Sequence, residues 1–311
     1  MNQAFARALA PCALTLTLAT VSRAAPRDLS EEQPASFYVA HGVVAASAIA
    51  STSLLYSFAE ASSPRTGSWL SFEDPVERHF SPSAMSLSDG LLVTSMLVPI
   101  AAQSGASGTE FGNSVLVYGE SLAVSLWLNT AVKYVVRRAR PYTHHPSEEV
   151  RKFAEARGDQ NLSFYSGHAS TAFTALVSGA LVFSSTHEDD DEERYAFWGV
   201  QSALAAATAH LRVRAGKHYY TDVLVGALVG AGVGLLVPYA AGVRYRLDAG
   251  DWAALGGGLV VGGGLALVVP SDELGLLRPE RSSAWAPRLD AIRVSQSPSG
   301  AGWIVALGGT L

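Results

Sequence analysis

Six apolar stretches, at residues 37–57, 88–105, 111–136, 168–185, 195–211 and 220–241, limit what this chain can fold into. Each is close to the roughly 17–25 residues that carry a helix across a bilayer. They are rich in Ala, Gly and Ser, small residues that let helix backbones approach one another in a membrane. The same composition also suits buried helices of a soluble all-α domain. Residues 220–241, "TDVLVGALVGAGVGLLVPYAAG", make the best membrane candidate by length and lack of charge; 37–57, with His41, make a poorer one. With 49% apolar and 16% charged residues, the chain is too apolar for disorder. A mean hydropathy of +0.20 is low for a protein built wholly of lipid-facing helices. The formal charge of −5 leaves no broad basic face for nucleic acid.

Residues 1–25 read as an export signal: Arg7, the apolar "ALAPCALTLTLATV", then "SRA" ending at Ala24. The alternative is an uncleaved first membrane helix. Cleavage removes Cys12, the only cysteine, leaving no disulfide, thiolate nucleophile or Cys metal site. Within 59–83, "EDPVERHF" suggests a short amphipathic surface helix. The acid run "HEDDDEER" (187–194) reads as a solvated turn. Two Gly triplets in "WAALGGGLVVGGGLALVVP" weaken a helix there, and alternation either side of "SPSGAG" signals a hairpin. The expected domains are a signal at 1–25, a helical domain at 26–241 and an appendage of mixed or β character at 242–311.

Three basic stretches adjoin apolar segments. In "KYVVRRARPY" (133–142), Lys133 and Arg140 are seven apart, two helical turns, so both can point one way from a helix that Pro141 ends. In "NLSFYSGHAS" (161–170), small hydroxyl residues, Gly167 and His168 stand before an apolar helix, where free backbone N–H groups favour an anion. In "RVRAGKHYYTD" (212–222), His218 and Asp222 are four apart. A carboxylate there fixes the imidazole tautomer and leaves the other nitrogen free as base or nucleophile. If the helices alternate in direction, all three stretches share one face. Their cations then build a pocket for a multiply charged oxyanion such as phosphate. Two histidines supply an attacking nitrogen and a proton donor for ester hydrolysis without a metal.

These residues resemble the signature of the type 2 phosphatidic acid phosphatase (PAP2) and vanadium haloperoxidase superfamily: K-x6-RP, PSGH, SR-x5-H-x3-D. Lys133 to Arg140–Pro141 fills the first part. Tyr165–Ser166–Gly167–His168 fills the second, with Tyr165 in place of Pro. Leu211–Arg212, His218 and Asp222 fill the third, with Leu211 in place of Ser. The resemblance implies an all-α, multi-helix PAP2-type bundle crossing a membrane five or six times, with the small C-terminal appendage beyond it. It implies that His218 attacks phosphorus, Asp222 orients it, and His168 protonates the leaving alcohol. Lys133, Arg140, Ser166, Gly167 and Arg212 would hold the phosphoryl oxygens. Arg138, Arg214 and Lys217 lie outside the signature and would bind a second phosphate or a headgroup, or lie in solvent. The expected substrate is a phosphomonoester or diphosphate, foremost of a lipid (phosphatidate, polyprenyl diphosphate or lipid A type), with no cofactor. The alternatives are a secreted soluble acid phosphatase and a vanadate-dependent haloperoxidase. The expected location is the inner membrane of a bacterial envelope with the site facing the periplasm, which an export signal and six crossings would contradict; laying 37–57 on the membrane surface restores it.

Overall fold

A computed structural model describes residues 26–58, 67–157, 159–268, 292–296 and 303–307. The signal stretch 1–25 lies outside the described residues. The helices are α1 (Ala35–Phe58), α2 (Pro82–Ala102), α3 (Gly108–Val136), α4 (Glu148–Arg157), α5 (Gly167–Thr186), α6 (Asp191–Arg214), α7 (Tyr220–Ala241) and α8 (Ala249–Leu267), with short 3-10 turns at Ser71–Arg78, Gln103–Gly105 and Pro141–His144. Polar side chains start several of them by accepting from otherwise unpaired N–H groups: Ser81 from Ala84, Ser107 from Glu110, Ser166 from Ala169, Asp190 from Glu193.

Contacts at the helix ends fix the alternation. Arg27 N–H donates to Gly242 O just beyond α7 (2.9 Å), and Asn113 near the start of α3 donates to Leu29 O and Glu31 O. The described chain therefore begins at the end of the bundle where α3 starts and α7 finishes. At the other end, Ser166 N–H donates to Asp222 O (2.9 Å), joining the starts of α5 and α7. The ends of α3 and α6 arrive there too.

The seam between α5 and α7 is built from small and hydroxyl residues at four-residue spacing. Gly226, Gly230 and Gly234 of α7 face Ser166, Ser170, Thr174 and Ser178 of α5; a Cβ on Gly230 would lie 2.1 Å from Ser170 O. Hydroxyls extend the seam to α3: Ser170 Oγ is 2.9 Å from Ser125 Oγ, and Ser178 Oγ is 2.8 Å from Ser121 Oγ. Hydrogen bonding between buried hydroxyls satisfies them where no water competes.

Six helices are long and apolar enough to cross a membrane: Ala35–Leu55, Pro82–Gly105, Gly108–Val136, Gly167–Thr186, Tyr220–Ala241 and Ala249–Leu267. The sixth departs from expectation. Residues 249–267, expected to be broken by glycines, form a helix lying along α6, where a Cβ on Gly262 would lie 2.0 Å from Ala203 O. The glycines serve close packing, and the compact unit extends to Ser271 rather than stopping at 241. The expected 195–211 span lies within α6, which is not among the six; Gln201, Ser202, Thr208 and His210 make it more polar, and α2, α5 and α8 pack against it. Nor does 37–57 lie flat: α1 packs lengthwise on α3, with Ala48 and Leu55 against Ala123, Trp127 and Ala131. The second unit, Asp272–Leu311, contains an antiparallel pair, Ile292–Gln296 with Trp303–Leu307, either side of SPSGAG.

The loop regions largely follow expectation. The short amphipathic surface helix expected at EDPVERHF is the 3-10 turn Ser71–Arg78, with Glu73 and Val76 buried on one side and Ser71, Phe72, Asp74, Pro75 and Arg78 exposed. The acid run supplies the cap and first turn of α6 and is anchored by buried Arg194, 2.9 Å from Asp191 and 2.7 Å from Asp248.

Candidate active site

Helix α3 ends at Val136, earlier than Pro141 alone would dictate. Arg137 takes a left-handed conformation (φ 53°) and its N–H caps Lys133 O. Lys133 thus stands on the last turn while Arg140 lies on extended chain beyond the helix, so the seven-residue spacing does not act through one helix face. Arg140 is held separately: its N–H donates to Gln160 O, and its Nε to Asp159 O at 2.9 Å. Lys133 Nζ donates to Leu162 O (2.5 Å). The loop Ala215–Tyr219 returns from α6 to α7 through Gly216, at φ +67°, where a Cβ would lie 2.0 Å from His79 O.

That loop sets His218 almost fully buried between α3 and α7. Arg140 NH1 donates to His218 Nε2 at 3.3 Å. A guanidinium only donates, so Nε2 carries the lone pair and the proton sits on Nδ1. Nδ1 faces Asp222 Oδ2 at 3.8 Å, too long for a hydrogen bond, and has no other partner. The carboxylate is already engaged: Oδ1 accepts from Arg138 NH1 (2.7 Å), and Oδ2 from Ser163 Oγ (2.5 Å) and Tyr219 N–H (2.9 Å). Burial, with the charges of Arg140, Lys133 and Arg212 nearby, pushes the His218 imidazole well below its ordinary pKa. This shift favours the neutral ring, the form that can attack.

His168, in the first turn of α5, faces the same space. Its Nε2 is 2.7 Å from Asp89 Oδ1. Arg212, at the end of α6, donates through NH1 to the same oxygen at 2.9 Å and to Ser88 Oγ at 3.0 Å. Ser166 caps α5, and Gly167 packs so closely that a Cβ would lie 2.8 Å from Asn129 Oδ1. Asn129 Nδ2 in turn donates to Tyr165 O (2.8 Å), fixing this helix start against α3. The start of α5 thus brings its N-terminal amides near three cations and two histidines, a set of donors and charges that suits a phosphoryl group.

The three auxiliary residues do not share this role. Arg138 is wholly buried behind Asp222, with NH2 on Glu73 Oε2 at 2.8 Å and its guanidinium over the Trp69 and Tyr219 rings, each 4.0 Å from the centroid. It reaches neither a second phosphate nor solvent. Burial works against Glu73 ionising, but the N–H and hydroxyl of Thr221 and the Arg138 guanidinium hold its carboxyl below the usual range. Arg214 points away, donating to the Ala266 and Leu267 carbonyls at the end of α8. Lys217 is buried, with Nζ 3.2 Å from Tyr142 Oη and 3.4 Å from Asp159 Oδ2.

Four carboxylates complete the site: Asp222, foreseen, and Glu73, Asp89 and Asp159, which were not. Asp89 is the sole charged residue within 88–105, and a lone acid in an apolar span is the signal that could have found it. Among known proteins, residues 114–246 match the family described as the PAP2 superfamily. No curated protein and no solved structure matches the chain.

Proposed function

The chain belongs to the PAP2 superfamily through residues 114–246, and from that premise we propose a membrane-bound phosphatase that hydrolyses a phosphomonoester or diphosphate of a lipid through a phosphohistidine. His218 Nε2 attacks phosphorus and forms the P–N bond as the P–O bond to the alcohol breaks. His168 gives its proton to the departing oxygen, then accepts one from water. That water attacks phosphorus, and the P–N electron pair returns to Nε2. Asp222 faces Nδ1 and balances the charge the ring gains. Lys133, Arg140 and Arg212, with Ser166 and the Gly167 N–H, stabilise the phosphoryl oxygens as charge shifts in the transition state.

The observation that carries this reading is the placement of His218, with Nε2 3.3 Å from Arg140 NH1 and Nδ1 on the side of Asp222, 3.8 Å from Oδ2. A lipid substrate is supported by the outer surface. Leu224, Leu228, Leu235 and Leu236 on α7, and Val260 and Leu265 on α8, are at least half exposed, a surface suited to acyl chains rather than water. An apolar groove of about 320 Å3, lined among others by Leu87, Leu204, Ala207, Leu211 and Leu265, adjoins Asp89 and Arg212 in sequence and can take a lipid tail. The site is assigned to the periplasmic side of a bacterial inner membrane, the usual side in this family.

The test is phosphate release from phosphatidate, a polyprenyl diphosphate and a water-soluble phosphomonoester, with and without EDTA. The reading expects chelator-insensitive hydrolysis of the lipids, lost in His218→Ala. Activity retained in His218→Ala, or abolished by EDTA, would refute the mechanism. Exclusive hydrolysis of the soluble ester would favour the acid-phosphatase alternative.

A further inference from the structure

We propose that Asp89 is a built-in counter-ion of the phosphate site, whose carboxylate holds the place of a phosphoryl oxygen until the substrate displaces it. This rests on the phosphatase reading above. One atom, Asp89 Oδ1, lies 2.7 Å from His168 Nε2 and 2.9 Å from Arg212 NH1. Those are the two contacts that a substrate oxygen between the general acid and the cradle arginine has to make. The same position cannot serve both the carboxylate and the phosphoryl group.

The two sides of this contact differ in freedom. The Arg212 side chain is 5% exposed and tied also to Ser88 Oγ, whereas the Asp89 side chain is 44% exposed. The cation is fixed and the carboxylate can swing out. Asp159 repeats the arrangement at Arg140: 33% exposed, it lies 3.1 Å from Arg140 NH2 and 3.4 Å from Lys217 Nζ. By contrast Asp222 and Glu73, which brace Arg138, have no exposed surface. Crowded cations with no anion between them repel one another, and a movable carboxylate relieves that repulsion.

The exchange also selects substrates. A terminal phosphate brings about −1.5 to −2 charges and three acceptor oxygens, so it outcompetes one carboxylate for the same donors. A phosphodiester, with one charge, gains little by the exchange. Asp89 therefore biases the site toward monoesters and terminal diphosphates, and its return speeds departure of the orthophosphate product.

The experiment measures orthophosphate binding by calorimetry on the full chain in detergent micelles, beside steady-state hydrolysis. Asp89→Asn keeps the shape and removes the charge, and Asp89→Ala removes the group. Both are expected to bind orthophosphate about tenfold more tightly, since one competing charge at this range is worth about a factor of ten. Stronger product inhibition should accompany this. Unchanged or weaker phosphate binding by a folded Asp89→Asn protein would overturn the proposal. So would a fall in kcat with phosphate affinity unaltered, which would make Asp89 a proton partner of His168. A wild-type protein that neither binds orthophosphate nor hydrolyses any ester would refute the phosphatase reading itself, a result distinct from either.

Discussion

Arg138 and Asp222 are both buried to zero exposure and meet at 2.7 Å, so each is the other's principal defence against desolvation. Removing one partner of such a pair typically costs about 3–5 kcal/mol, because the remaining charge stays buried without compensation. Arg138→Met should therefore unfold in detergent at markedly lower denaturant and lose hydrolysis together; a variant of wild-type stability would show that the pair is not structural. His218 makes a separate prediction. Its folded pKa is depressed, so below the unfolded value of about 6.5 the unfolded chain binds a proton that the native chain does not. Stability should fall as pH drops from about 6.5 toward the folded pKa and be level in this respect above it. Melting curves between pH 7.5 and 5 should show that slope, and His218→Gln should make it shallower. At this scale the sequence disclosed the groups that stand at fixed spacing, His218 with Asp222 and Lys133 with Arg140. It did not disclose their partners, because Glu73, Asp89 and Asp159 meet them only through tertiary folding. Asp89 is 123 residues from Arg212. Arg138, adjacent to the signature, looked like a spare cation, and its burial behind Asp222 is what assigns it.

Within elements, α7 carries its own control. Gly230 abuts Ser170 O, where a Cβ would lie at 2.1 Å, while Gly232 has nothing within 4 Å. Gly230→Ala should cost about 1–3 kcal/mol through overpacking and separate the starts of α5 and α7, reducing kcat. Gly232→Ala should be neutral or slightly stabilising, since Ala favours a helix over Gly by roughly 1 kcal/mol. Parallel melting and activity assays distinguish the two, and equal effects would refute the seam. Glycine also accounts for the difference between α8 and expectation. Its triplets disfavour a helix in water, where the backbone has solvent as an alternative partner. In lipid that alternative vanishes and the backbone must bond internally, while Gly258 and Gly262 gain close contact with Gly199 and Ala203. The end of α3 departs from expectation for a different reason. Pro141 marks a boundary, but the left-handed turn at Arg137 comes first, and nothing in a basic run signals it.

Taken as a whole, the bundle has a parity. Three long helices, α1, α2 and α3, separate residue 27 from the end of α3, an odd number, so the chain near residue 27 and the candidate site lie at opposite ends of the bundle. Export of residue 26 and an outward-facing site therefore exclude one another. With Cys12 replaced by Ser, single cysteines at Asp28 and at Ser147 should react differently with a membrane-impermeant maleimide added to intact cells. Labelling of Ser147→Cys alone fits a periplasmic site; labelling of Asp28→Cys alone places the site in the cytoplasm; labelling of both breaks the reading of α1, α2 and α3 as three crossings. The six-segment pattern made the bundle and this opposition legible, since its first three segments are α1, α2 and α3; what it missed is α8, which arises from the glycine-rich tract. The seam between α5 and α7 has a last consequence. Leu224, Leu228 and Leu235 point outward from the same helix whose glycines hold the catalytic spacing. One side of α7 can thus drift with the thickness and fluidity of the bilayer while the other keeps the chemistry in register. Adapting to a new membrane and refining the reaction become separate evolutionary problems.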